Sequence, residues 1–114
     1  MLTAADIEQQ GAIVTVRLER EELTHVEMQE VVDACRDRMR YDNARHFIFD
    51  LQPVTYLASS CLGILVSLMQ EAEHVRGRIM LVHVHDNVAF LFKVTQLDSV
   101  FGIFDEIEDA MNEL

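Results

Sequence analysis

The sequence predicts an α/β protein whose mixed, mostly parallel sheet has four to five strands and is flanked by about four helices. Residues 46–51 form a short apolar run before Pro53, which is typical of a strand covered on both faces. Residues 59–70 place apolar side chains at helical spacing, as expected of a helix packed against a sheet. Strand-like runs alternate with helical patterns along the chain, and right-handed crossovers between them make neighbouring strands parallel.

The remaining strands are predicted from β-branched and alternating runs. Residues 2–7 and 12–18 are expected to pair as an antiparallel hairpin, with residues 9–11 as the turn. A charged loop is expected at residues 19–22. The last two strands are predicted at residues 79–84 and 99–103.

Helix ends and buried stripes follow from residue type and spacing. Capping side chains are predicted for four helices: Thr24 with Glu27 as a capping box, Ser59 and Ser60, Asp86 or Asn87, and Asp105 with Glu108. Gly77 suits the left-handed C′ position after the second helix. Buried stripes are predicted for three helices: Met28, Val31, Val32, Cys35 and Met39; Val88, Leu91, Phe92 and Thr95; and Phe104, Ile107, Met111 and Leu114.

Two stretches resemble a known family. Residues 50–63 read D-L-Q-P-V-T-Y-L-A-S-S-C-L-G and resemble D-L-S-x-V-x-x-x-D-S-S-G-L-G, the signature of the STAS domain, the fold of bacterial anti-sigma-factor antagonists. Residues 88–105 look like the third helix and final strand of that family. The resemblance covers nearly the whole chain in the expected order and implies a single STAS domain over residues 1–114. Ala58 and Cys61 depart from the signature, which has aspartate and glycine there.

The resemblance implies a regulatory binding protein that is not an enzyme. In these antagonists the second serine of the signature is phosphorylated by the partner anti-sigma factor, itself a serine-protein kinase, and this switches the complex off. That serine corresponds to Ser60 in this sequence, and Ser59 is the alternative acceptor. The partner-binding residues implied by the match surround it: Ala58, Ser59, Ser60, Cys61, Leu62 and Gly63.

Other interpretations stay open on the sequence alone. Serine is a common helix cap worth about 1 kcal/mol and needs no further role. The altered signature also fits a phosphorylation-independent STAS scaffold or assembly subunit of a bacterial signalling complex, either as a homodimer or with other STAS proteins. A small-ligand sensor is a third class, although no phosphate-binding loop is found. Cys61 is either a reactive thiol at a helix start or a small buried residue.

Composition narrows the partner classes. The net charge of −11, without a basic cluster in the sequence, argues against nucleic acid and anionic membrane surfaces and is compatible with a basic protein partner. No signal peptide or membrane-spanning run is found, and Cys35 and Cys61 suit a reducing compartment, so a cytoplasmic location is expected.

His83 and His85 are predicted to share one strand face, but no further ligand is spaced to complete a metal site. No catalytic residue, metal or cofactor is expected.

Overall fold

Strand β4 (His46–Asp50) lies at the centre of a five-stranded sheet in the computed structural model, which describes residues 4–114. It runs parallel to β2 (Ile13–Leu18) on one side and to β6 (Ile79–Val82) on the other. At the edges, β1 (Ala5–Gln10) is antiparallel to β2, and β7 (Gly102–Phe104) is parallel to β6. The predicted α/β class and the mixed, mostly parallel sheet are confirmed.

The hairpin at the start of the chain forms, but its turn is tighter than predicted. Strand β1 continues to Gln10, whose partner across the hairpin is Ile13. Only Gly11 and Ala12 remain for the turn, and Gly11 has a φ of +60°, a conformation that glycine adopts without steric cost. Residues 9 and 10 therefore belong to the strand, and residues 2 and 3 of the predicted first strand lie outside the described part of the chain.

The two faces of the sheet are covered unequally. Helices α1 (His25–Tyr41), α2 (Ser59–His74) and α3 (Asp86–Val94) pack in one large apolar core on the face where Phe47 and Phe49 point. The other face carries a smaller cluster covered by the short helix α4 (Ile107–Asn112): Ile48, Met80, Val82 and Ala110. Alternate residues of β4 thus enter different cores, as period-two geometry requires. Among residues 4–114 there is no helix long and apolar enough to cross a bilayer.

Helix α1 follows its sequence prediction closely. The Thr24 hydroxyl accepts a hydrogen bond from the Glu27 N–H at 3.1 Å, and the Glu27 carboxylate accepts one from the Thr24 N–H at 3.0 Å. This reciprocal pair is the predicted capping box. The predicted stripe is also observed, because Met28, Val31, Val32 and Cys35 are buried and Met39 packs against them.

The predicted caps of the last two helices are wrong. Helix α3 begins at Asp86 after His85, and α4 (Ile107–Asn112) begins after Glu106; neither preceding residue caps its helix with a side chain. An N-cap residue needs extended backbone angles, which the chain adopts here as it leaves the sheet. Asp86 and Asn87 are therefore already helical, and Asp105 lies one residue too early.

The C-terminal segment also differs from its prediction. A short 3₁₀ turn at Leu97–Ser99 comes first, so strand β7 starts at Gly102 rather than at residue 99. Helix α4 contacts the sheet through Ile107 and Ala110, whereas the side chains of Met111 and Leu114 are exposed. The predicted stripe is wrong at those two positions, since Met111 is exposed in the last turn and Leu114 lies beyond the end of the helix at Asn112. It is also wrong at Phe104, which belongs to β7.

The left-handed residue after α2 is Arg76, with a φ of +59°, and not the glycine. The Arg76 N–H donates to the Glu73 carbonyl at 3.0 Å, and the Gly77 N–H donates to the Ala72 carbonyl at 2.7 Å, which together form a Schellman motif. Gly77 is needed for another reason. A Cβ placed there would lie 1.7 Å from the carbonyl oxygen of Arg45, so only glycine fits this close backbone approach.

We therefore expect Gly77→Ala to lower the free energy of unfolding by about 1–3 kcal/mol or more, because the added methyl group overlaps backbone that cannot move away cheaply. Gly63→Ala is the matched control, since nothing lies within 4 Å of a Cβ there and the position is inside α2. The control should gain up to about 1 kcal/mol from helix propensity. Urea unfolding followed by circular dichroism measures both, and equal effects at the two glycines would contradict the packing argument.

Candidate functional site

The two serines of the signature lie in the first turn of α2, and both are exposed. The prediction that they cap the helix is wrong. Ala58 is the N-cap residue, with a ψ of 142°. Its side chain has no oxygen that could accept hydrogen bonds from the free N–H groups of the first turn. Because Ser59 and Ser60 are already helical, their hydroxyls do not take the capping geometry.

A small parallel sheet, absent from the sequence prediction, holds the segment that leads into α2. Strand β3 (Glu22–Leu23) pairs with β5 (Tyr56–Leu57). The N–H groups of Thr55 and Tyr56 also donate to the carbonyl of Glu21, at 2.9 and 3.2 Å. These backbone contacts fix the approach to Ser59, so the exposed serines are presented from an ordered support.

Cys61 is fully buried beneath the small sheet formed by β3 and β5. Its sulfur lies 3.7 Å from the carbonyl oxygens of Leu23 and Thr24, to which the thiol donates weakly. Burial raises the pKa of the Cys61 thiol, so the reactive thiolate form is disfavoured at neutral pH. The interpretation of Cys61 as a small buried residue is confirmed, and the reactive-thiol alternative loses its physical basis.

Burial divides the residues that the resemblance implied for partner binding. Ser59, Ser60 and Gly63 are exposed and Ala58 is partly exposed, whereas Cys61 and Leu62 are buried. The side chains of Cys61 and Leu62 thus lie in the core of the free chain, and their contact with a partner stays an untested prediction. The exposed residues share the first turns of α2, and their contact with a partner stays a prediction.

The apolar run along α2 does not supply a free surface. Most of its large side chains are buried by neighbouring elements: Ile64, Leu65, Leu68 and Met69. Arg36 of α1 crosses over the helix, donating to Glu71 at 2.8 Å and to the Ser67 hydroxyl at 2.7 Å. Neighbouring elements therefore cover most of the apolar surface of this helix.

An exposed apolar groove lies beside Ser59 instead, between β5 and α3. Its volume is about 260 Å³. The lining residues are Thr55, Tyr56, Leu57, Ser59, Asn87, Val88, Phe90, Leu91 and Val94. Tyr56, Phe90 and Val94 are exposed although they are large and apolar. Sequence reasoning missed this groove, and the available signal was that Phe90 and Val94 fall outside the stripe predicted for α3.

Side chains that follow β6 in the chain hold the loop between β4 and α2 in place through hydrogen bonds. Strand β6 ends at Val82, and His83 has a φ of +55°, so His83 and His85 do not share a strand face as predicted. His85 Nε2 hydrogen-bonds the carbonyl of Gln52, and Asn87 Nδ2 donates to the carbonyl of Thr55 at 3.3 Å. The loop between β4 and α2 is thus held from both ends.

His83 bridges two carboxylates at the same edge of the sheet. Its Nδ1 lies 2.9 Å from Asp50 Oδ1, and its Nε2 lies 2.9 Å from Glu106 Oε2. Two acceptors require two N–H donors, which only the imidazolium form has. The hydrogen bonds to Glu106 and then to Asp50 raise the pKa of His83 above its ordinary value. No group of three His, Cys, Asp or Glu side chains among residues 4–114 is arranged so that it could hold a metal ion.

A comparison with protein families identifies the fold. The STAS domain model matches residues 4–110, which is nearly the whole chain. The chain therefore belongs to the STAS domain family, as the signature resemblance implied.

Individual relatives agree with this assignment. A Thermotoga neapolitana protein named as a homologue of TM1081 is 30% identical over 64 residues, and the match spans 56% of this chain and 57% of that protein. The solved structure of TM1081 is similar at a TM-score of 0.84 and 21% identity, covering 99% of this chain and 87% of that one.

The anti-sigma factor antagonist SpoIIAA is similar in two solved forms. Its unphosphorylated form has a TM-score of 0.77 at 22% identity, with coverage of 96% of both chains. Its phosphorylated form, from Bacillus, has a TM-score of 0.78 at 21% identity, covering 96% of this chain and 98% of that one. At these identities the likeness shows the fold.

The His83 bridge predicts a specific pH dependence of stability. The pKa of His83 in the folded protein lies above the ordinary value of 6.5. The contribution of His83 to the free energy of unfolding is therefore complete below pH 6.5, and it is lost as the pH rises through the pKa of the folded state. Urea unfolding across that range should show a fall in the free energy of unfolding that His83→Gln removes. The control His74→Gln, at an exposed residue without an ion pair among residues 4–114, should leave the fall unchanged. A fall that persists in His83→Gln would exclude His83 as its source.

Proposed function

We propose that this protein is an anti-sigma-factor antagonist of the partner-switching type, which binds an anti-sigma factor that is also a serine-protein kinase. The observation that carries the proposal is the exposed Ser60 in the first turn of α2, held on an ordered support next to an apolar groove. Ser60 also occupies the position of the second serine in the STAS signature. The exposed surface of Ala58, Ser59, Ser60 and Gly63 is the centre of the proposed contact.

Membership of the STAS family supports this proposal, as do the names of similar proteins. SpoIIAA is named as an anti-sigma factor antagonist, and it has been solved in a phosphorylated form. The T. neapolitana relative matches over only 57% of its own length, so a shared activity is part of the proposal. We infer that residues 1–114 act as one non-catalytic STAS domain in the cytoplasm.

Phosphorylation at Ser60 is compatible with an intact fold. A phosphate adds about −1.5 to −2 charges, and the N-terminus of a helix favours anions. Ala58 offers no side-chain acceptor to the first-turn N–H groups of α2. The Cys61 N–H donates to the Ala58 carbonyl at 2.9 Å, and the N–H groups of Ser59 and Ser60 are the ones open to a phosphate oxygen. A partner packed against Ser60 would have to desolvate that charged group and make room for it. Phosphorylation can therefore weaken binding without unfolding the domain.

One observation favours a second function, a phosphorylation-independent scaffold. Ala58 lacks the carboxylate that the signature has beside the serines, so a group that could orient Ser60 towards a kinase is missing. Cys61 does not add to this difference at the surface because its side chain is buried. The two functions share one binding face and differ in whether Ser60 is modified.

The test is a pull-down with wild type, Ser60→Ala and Ser60→Asp, followed by identification of bound proteins and a phosphorylation assay with the captured kinase. We expect a kinase-like anti-sigma protein to bind wild type and Ser60→Ala, and to be lost with Ser60→Asp because a charge is introduced at the contact. Ser99→Asp is the matched control, since Ser99 is an exposed serine in the 3₁₀ turn. It should bind as wild type does.

Each outcome separates the two functions. Equal binding of the same proteins to all variants would contradict the switch and leave the scaffold function. Phosphate incorporated at a residue other than Ser60 would overturn the assignment of the site, and Ser59→Ala tests the alternative acceptor directly.

A further inference from the structure

We propose that the groove between β5 and α3 receives a large apolar side chain of the protein partner, and that this side chain is flanked by lysine or arginine. This inference rests on the proposed function, because the groove is continuous with Ser59. The partner would recognise the surface beside the serines through this apolar side chain and the positive charges next to it.

The groove has the size and lining of a site for one anchoring side chain. Its volume of about 260 Å³ lies below the roughly 300–1,000 Å³ of pockets that hold small-molecule ligands. Phe90 is 64% exposed and Val94 is 56% exposed, although both are apolar. Large apolar side chains gathered beside polar groups mark interaction surfaces, and the energy of an interface is concentrated in a few buried aromatic or apolar anchors.

The groove is held open by backbone and side-chain contacts. Tyr56 belongs to β5, which is paired with β3. Asn87 in the first turn of α3 donates to the carbonyl of Thr55 on the opposite wall. Both walls are therefore connected in the absence of a partner, which lowers the ordering cost of binding.

The charge around the groove selects the flanking residues of the partner. Glu22 is in register with Tyr56 on one wall, and Asp86 begins the helix of the other wall. Further acidic residues lie on the same carboxyl edge of the sheet, in the segment before α1: Glu19 and Glu21. None of these four acids has an ion-pair partner among residues 4–114, whereas Arg20 on that edge is already paired with Glu27 at 3.5 Å.

Positive charge is concentrated away from this edge. Most arginines lie in or after the C-terminal halves of α1 and α2, which run back to the amino ends of the parallel strands: Arg36, Arg38, Arg40, Arg45, Arg76 and Arg78. Lys93 is the one lysine of α3, and it lies in the last turn, far from Asp86. The end of the groove at Thr55 and Asn87 therefore attracts cationic side chains, and an acidic partner segment would be repelled there.

Three short synthetic peptides test this chemistry on the isotopically labelled full chain by NMR titration. The first carries a central leucine flanked by arginines, the second has serine in place of leucine, and the third has glutamates in place of the arginines. We expect the first peptide to shift the amide signals of Tyr56, Asn87 and Phe90, and the other two to bind at least about tenfold more weakly.

Phe90→Ser supplies the protein-side test, and Tyr41→Ser is its matched control because Tyr41 is 72% exposed at the far end of α1. Phe90→Ser should weaken the first peptide at least about tenfold, and Tyr41→Ser should not change it. The proposal is overturned if the first peptide leaves the groove signals unshifted, if the three peptides bind alike, or if Phe90→Ser binds normally. Loss of an identified anti-sigma partner with Ser60→Asp but not with Phe90→Ser would reject the groove and retain the proposed function.

Discussion

The burial of β4 on both faces is the constraint on which the rest of the structure depends. Phe47 and Phe49 enter the large core, and Ile48 enters the smaller one beneath α4. Its neighbours β2 and β6 run parallel to it and are reached through crossover helices, which places the loop after Asp50 at the carboxyl edge of the sheet. In open α/β sheets this edge is where binding sites gather. The position of Ser60 thus follows from the packing of β4, although Ser60 itself lies in α2.

A rigid support and an exposed surface are combined in one short segment. Cys61 and Leu62 are buried in the core, while Ser59, Ser60 and Gly63 face outward from the same helix turns. A change of charge at the exposed positions therefore acts on the surface, because the buried positions keep the helix in place. This separation is what a switch in binding needs from a domain that remains folded.

Much of this arrangement could be predicted from the sequence, since apolar periodicity records which faces are buried. Apolar periodicity indicates the sheet, the spacing of Thr24 and Glu27 indicates the capping box of α1, and the resemblance to the STAS signature indicates the position of Ser60. The pairing of β3 with β5 could not be predicted in this way, because two-residue strands distant in the sequence have no periodicity of their own. The Arg76 turn and the His83 bridge also depend on tertiary contacts, and residue type alone pointed to Gly77 and to a strand instead.

The most direct test of Ser60 as an independently modifiable surface residue is an NMR comparison of the unmodified protein with protein carrying phosphoserine at position 60. We predict unchanged thermal stability, with amide shifts confined to the first turn of α2, β5 and the start of α3. Shifts that extend through β4 and the large core, or a loss of folded signals, would contradict it. That result would mean that Ser60 belongs to the structural framework and not to a surface that can be modified independently.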